Sequence, residues 1–194
     1  MSPSQAVLDA MVKSWGFPER HVELVGKCNT SGEWGRKYEK VYQWISNRRG
    51  FMLALIGNRG TGKTQMAACL ACSLCDAQGT KRAQYARAMD VFLDLKDSFR
   101  KGSEMSERGV IAKYSAPETL VLDEMHVRGE SKWENDIRTS ILDARYAKPD
   151  RKTILISNDS GTKFRESMGP SVMDRLVETG VIVEFDWESM RGKQ

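Results

Sequence analysis

The chain has 194 residues, 29% of them charged and 40% apolar, with a formal net charge of +4 at pH 7. That length builds one sizeable core, with room for a small appendage. A charge this modest does not by itself call for nucleic acid. The longest apolar runs reach about seven residues against the roughly 20 that span a bilayer, and "MSPSQAVLDAMVKSW" carries no secretory pattern. A cytoplasmic protein with no membrane partner is therefore expected.

In chain order, Val7, Leu8, Met11, Val12 and Trp15 share one side of a short helix that "GFPERH" (16–21) breaks. The stripe suits packing against its own domain or docking of a partner, so residues 1–33 read as a short N-terminal segment with a candidate partner-binding helix. Trp34, Tyr38, Val41, Tyr42 and Ile45 recur at helical spacing, and this second helix (34–47) opens a domain running to residue 194.

The apolar run "FMLALIG" (51–57) has strand length and leads into "GNRGTGKT" (57–64). Gly57, four residues, then Gly62-Lys63-Thr64 is the spacing that aims backbone N–H groups at phosphates, with a lysine as point charge and a threonine hydroxyl for Mg²⁺. The following stretch, "KTQMAACLACSLCDAQG" (63–79), reads as a helix closing on Gly79, and a helix N-terminus favours an anion there. A chance glycine-rich turn would lack both flanks.

Beyond it, "AQYAR" (83–87) reads as a short strand, "MDVFLDLKDSFRKG" (89–102) as an amphipathic helix ending at Gly102, and "SERGVIAKYSAP" as a helix stopping before Pro117. A strand, "TLVLDE" (119–124), is followed by a helix from Trp133 to Tyr146. Next come the strand "KTILISND" (152–159), a helix over 171–179 and the strand "VIVEFDW" (181–187). Strands alternating with helices predict a mostly parallel sheet covered on both faces. Cys69, Cys72 and Cys75 recur every third residue, but the fourth cysteine, Cys28, lies far upstream. Packed free thiols in a reducing compartment fit this better than an iron–sulfur cluster.

"LVLDE" delivers Asp123 at the carboxyl end of a buried strand, where ligands of open α/β sheets collect, as a Mg²⁺ carboxylate beside Thr64. Glu124 is placed to orient the attacking water. Asn158, at the end of "TILISN", can contact both the γ-phosphate and the water, although Ser-Asn after a strand is also a common turn start. The phosphates of a nucleotide would be held by Gly57, Asn58, Arg59, Gly60, Thr61, Gly62, Lys63, Thr64 and Gln65.

The motifs "GNRGTGKT", "DVFLDLKDSFR", "LVLDEM", "ESKWE", "ILDARY", "ILISN", "MGPSVMDRL" and "VEFDWESMR", spread over about 34–191, resemble the DnaC/IstB branch of AAA+ ATPases, closest to bacterial and phage helicase loaders. The resemblance implies an α/β AAA+ P-loop fold with a five-stranded sheet and no C-terminal helical lid. It also implies slow ATP hydrolysis with Mg²⁺ and ATP-dependent self-assembly into a spiral or ring around single-stranded DNA, with a replicative helicase as partner. Arg175 in "VMDRL" would reach the γ-phosphate of a neighbouring subunit, a role that suits a planar, permanently charged donor. A surface ion pair with Asp174 or Glu178 is the alternative for it. Arg145 is a second candidate for an intersubunit contact.

Single-strand binding calls for basic side chains and aromatic platforms. Lys96, Phe99 and Arg100 on one helix, and Ser131, Lys132 and Trp133 after the acidic strand, would face the pore in this family. Phe99 and Trp133 could instead be core residues. The family's base pocket usually falls in poorly patterned residues such as 20–35. An IstB-like transposition helper on duplex DNA and a nucleotide-switched adaptor without DNA binding are the competing functions.

Overall fold

Five strands set the frame of the computed structural model, which describes residues 3–28, 31–78, 82–127 and 132–190. They are β1 (Phe51–Gly57), β2 (Ala83–Arg87), β3 (Thr119–Asp123), β4 (Lys152–Ile156) and β5 (Gly180–Phe185). They pair in the order β2-β3-β4-β1-β5, and every neighbouring pair is parallel. Residues 51–56 of the central β1 are all buried because both faces of a parallel sheet are covered, which is why the run is apolar without alternation. Its side chains still alternate between the faces. Leu53 and Leu55 join one core with Met11, Ile45, Met66 and Leu70, while Met52, Ala54 and Ile56 join another with Phe92, Leu142, Phe164 and Leu176.

The first face carries α1 (Gln5–Lys13), α2 (Glu19–Val22), α3 (Glu33–Ser46) and α4 (Lys63–Gln78); the second carries α5 (Ala88–Ser98), α6 (Glu107–Ser115), α7 (Lys132–Tyr146) and α8 (Gly161–Thr179). The α1 stripe is turned inward. Met11 is fully buried, and Val7, Leu8, Val12 and Trp15 pack half-buried against the same core as β1. The N-terminal segment thus packs on its own domain.

Several boundaries differ from the sequence reading. The short α2 forms where only a break was expected. Helix α5 ends at Ser98, whose hydroxyl donates to the Leu95 carbonyl; no buried apolar residue lies between Leu95 and Val110, so Phe99 and Arg100 lie just past the helix. Strand β4 ends at Ile156, which leaves Ser157, Asn158 and Asp159 in the turn beyond it. Helix α8 begins ten residues earlier than expected, anchored by buried Phe164 and Met168, and breaks at Gly169 (φ 75°) before Pro170, whose ring cannot follow a residue in helical geometry. Gly79 and Ser131 lie outside the described residues.

Candidate nucleotide site

The loop after β1 is shaped by close approach. A Cβ on Gly57 would stand 2.3 Å from the Phe185 carbonyl oxygen, and one on Gly62 would stand 2.7 Å from the Trp34 indole nitrogen. Glycine is what lets this backbone fold so tightly. Trp34 Nε1 donates to the Gly62 carbonyl at 3.1 Å, and the Met190 N–H donates to the Gly60 carbonyl at 2.9 Å. The Thr61 hydroxyl donates to the Asn58 carbonyl at 2.8 Å. Lys63 is only 4% exposed, and its ammonium folds back onto the carbonyls of Gly57 (2.8 Å) and Asn58 (2.6 Å).

Asp123 closes the other side and is 7% exposed. Its Oδ2 accepts the hydroxyls of Thr64 (2.9 Å) and Tyr85 (2.8 Å), and its Oδ1 accepts the Glu124 N–H (2.6 Å). Burial, then the neighbouring Asp123 charge, pushes the Tyr85 phenol far above its ordinary pKa, so it stays a donor. Glu124 has φ 58°, the only positive φ among the non-glycine residues described, which turns the chain sharply so that the Met125 N–H donates to the Ile156 carbonyl. Non-glycine residues in that region are strained and concentrate at functional sites.

Most of these groups border one cavity of about 850 Å³, although Gly57 and Asn58 are not among its lining residues. Its walls include Arg59 to Gln65, Tyr85, Asp123, Glu124, Asn158 and Met190, and on the far side Gly16, Pro18, Arg20, His21 and Leu24. Lys63, Thr64, Asp123, Glu124 and Asn158 are thus brought to the same cavity. Gln65 lines the cavity too, but its amide is engaged with His21, its Oε1 accepting from Nδ1 at 2.9 Å and its Nε2 donating to the His21 carbonyl at 3.0 Å. The fit to a nucleotide with Mg²⁺ is good: a glycine cradle that a Cβ would fill, a buried lysine beside it, and a hydroxyl and a carboxylate in contact opposite it.

Tyr85, Trp34 and Met190 were not anticipated as site residues. Trp34 showed only its helical spacing, and nothing local to "AQYAR" or "WESMR" marks the other two.

Two arginines outside the cavity differ sharply. Arg145 is 1% exposed and donates to Thr153 Oγ1 and to the carbonyls of Tyr114, Ser115, Pro117, Glu118 and Lys152. This corrects its reading as an intersubunit contact: a guanidinium with its donors spent on buried carbonyls cannot reach another chain. Arg175 lies on the outer side of α8, paired with Asp143 of α7, donating to Ser171 Oγ at 2.8 Å and lying over the Tyr146 ring. The ion pair is with Asp143, neither of the two partners expected.

Of the residues considered for DNA, Phe99 is 63% exposed and meets Trp133 edge-on with centroids 5.2 Å apart, so Phe99 is not core. Trp133 packs half-buried against the α5–α8 core. Lys96 and Arg100 are exposed, and Arg100 pairs with Asp97 at 2.9 Å. No helix among the described residues is long and apolar enough to cross a membrane.

Residues 39–194 match the model of the IstB-like ATP binding protein family. The replicative helicase loader DnaC of Escherichia coli K12 is 31% identical over 178 residues, covering 91% of this chain and 69% of that protein. A crystal structure of the DnaC helicase loader is similar with a TM-score of 0.72 at 17% identity, covering 87% of this chain and 100% of that one. The replication initiator DnaA bound to AMPPCP and single-stranded DNA is similar with a TM-score of 0.65 at 18% identity, covering 86% of this chain and 50% of that one, so this chain spans half its length. With the parallel five-stranded sheet and phosphate loop, these similarities carry one conclusion: the chain belongs to the DnaC/IstB family of AAA+ ATP-binding proteins.

Proposed function

We propose that the protein is an ATP-dependent helicase loader that binds ATP with Mg²⁺ in the 850 Å³ cavity, binds single-stranded DNA, and helps deposit a replicative helicase during DNA replication. The observation that carries the reading is the 31% identity with a replicative helicase loader along 91% of the chain. The cradle of Gly57 to Thr64, opposed by Asp123, supports the nucleotide part.

In this reading the loop N–H groups and Lys63 hold the phosphates, the lysine exchanging its two carbonyls for phosphate oxygens. Thr64 and Asp123 hold Mg²⁺, which supplies neutralisation of charge on the transferred phosphoryl group. Glu124 orients the attacking water, and Asn158 contacts the γ-phosphate. Arg175 would leave Asp143 to serve a neighbouring subunit's ATP, so hydrolysis to ADP and phosphate is slow until subunits assemble in a spiral or ring. Phe99 and Trp133, with Lys96 and Arg100, supply the stacking and charge for single-stranded DNA.

The family description of residues 39–194 favours a second reading, an IstB-like transposition helper acting on duplex DNA. A nucleotide-switched adaptor without DNA binding remains the third. The test is co-purification with a replicative helicase with and without ATP, alongside a comparison of single- and double-stranded DNA across salt concentrations. The loader reading expects helicase capture and a preference for single strands. Capture in neither condition overturns it, and a duplex preference favours the helper.

A further inference from the structure

Tyr85 belongs to none of the motifs, yet its hydroxyl is aimed at the carboxylate opposite the phosphate loop. It donates to Asp123 Oδ2 at 2.8 Å, on the same oxygen that accepts Thr64 Oγ1 at 2.9 Å. With the Glu124 N–H on Oδ1, three donors fix both oxygens and leave the carboxylate one orientation.

The tyrosine is itself held from outside the site. It lies on the edge strand β2, where its N–H donates to the Trp15 carbonyl at 2.7 Å, and its ring lies against the Phe17 ring with centroids 5.5 Å apart. Phe17 is buried. Packing against Phe17 would be served equally by a phenylalanine at position 85, so the hydroxyl is accounted for by Asp123.

We infer that Tyr85 is the positioning residue of the Asp123 carboxylate, holding it in the orientation from which Asp123 and Thr64 bind a divalent cation, with residues 15–17 seating the tyrosine. The inference rests on the ATP–Mg²⁺ reading of the cavity and adds to it a dependence on the N-terminal segment. Groups that orient a metal carboxylate through a hydrogen bond typically govern about 10-fold or more of metal affinity.

The full chain tests it, with Mn²⁺ as an electron paramagnetic resonance probe in the presence of ATP, and ATP affinity measured separately in EDTA. Tyr85→Phe is expected to weaken Mn²⁺ binding by about 10-fold while the affinity for ATP in EDTA and the thermal midpoint hold. Phe17→Leu, which keeps the hydroxyl but loosens its seat, is expected to give a smaller loss in the same direction. Mn²⁺ affinity of Tyr85→Phe unchanged or tightened overturns the inference, as does an equal loss of ATP affinity with and without metal, the mark of a merely structural tyrosine. A wild-type chain that binds ATP no better with Mn²⁺ than in EDTA overturns the site reading together with the inference, so the two failures are told apart by the wild-type control.

Discussion

The two ends of the sheet carry comparable numbers of buried polar groups and use them in opposite ways. At the amino end of β3 and β4, Arg145 spends its donors on five carbonyls and Thr153, and Lys152 pairs with Glu118 at 3.0 Å. That end is closed on itself. At the carboxyl end, Lys63, Thr64, Asp123 and Glu124 surround open volume, and the Lys63 ammonium rests on two carbonyls that it can exchange for a ligand. A charged residue inside an α/β domain therefore says little about function until one knows whether its partners are permanent.

The largest test of this contrast is Arg145→Met. It strips five carbonyls of a buried donor, and stability should fall by about 3 kcal/mol, read as a lower urea midpoint, while the folded fraction keeps its affinity for ATP. Lys63→Ala should do the reverse. ATP affinity measured by calorimetry should drop roughly 100-fold, or about 2.7 kcal/mol, with little change in the melting temperature.

Glu124 sharpens the comparison further, because its φ of 58° marks a strained residue at the open end. Glu124→Gly should raise stability by about 1 kcal/mol while abolishing ATP turnover. Glu124→Gln should leave the stability and ATP binding where they are and slow turnover alone. Loss of stability on Glu124→Gly would show that the turn is not strained.

The smallest effect is a titration beside the cavity. Cys28 Sγ lies 3.7 Å from Cys69 Sγ, and the Cys69 thiol donating to it lowers the Cys28 pKa from 9.0 to about 7, while Cys69 stays protonated. Between those values the unfolded chain binds more protons at Cys28 than the folded one, so this contribution to stability grows as pH rises through the window and is lost below about 7. Alkylation of Cys28 by iodoacetamide should accelerate through pH 7, and Cys69→Ala should move that midpoint upward.

The phosphate loop and the acidic strand end were legible because their chemistry is written in contiguous residues with fixed spacing. Asn158 was legible for the same reason, though its strand ends two residues earlier. Tyr85 was not, because its role follows from β2 lying beside β3, a pairing between segments more than 30 residues apart. Arg145 and Arg175 stand in equally charged surroundings in the sequence, and only the burial of α7 against the sheet separates them. The first half of α8 was missed because Gly161, Ser167, Gly169 and Pro170 mask its period, while Phe164 and Met168 carry its burial.

The bond from the Tyr85 N–H to the Trp15 carbonyl covers part of the outer edge of β2, at the margin of the sheet. Uncovered strand edges recruit other strands. A chain shortened to begin after Phe17 would bare that edge together with the apolar surface that Met11 and Phe17 cover, and would self-associate for reasons unrelated to ATP. Deletion would thus mimic assembly, and the contribution of the N-terminal segment has to be read from single substitutions that leave the edge covered.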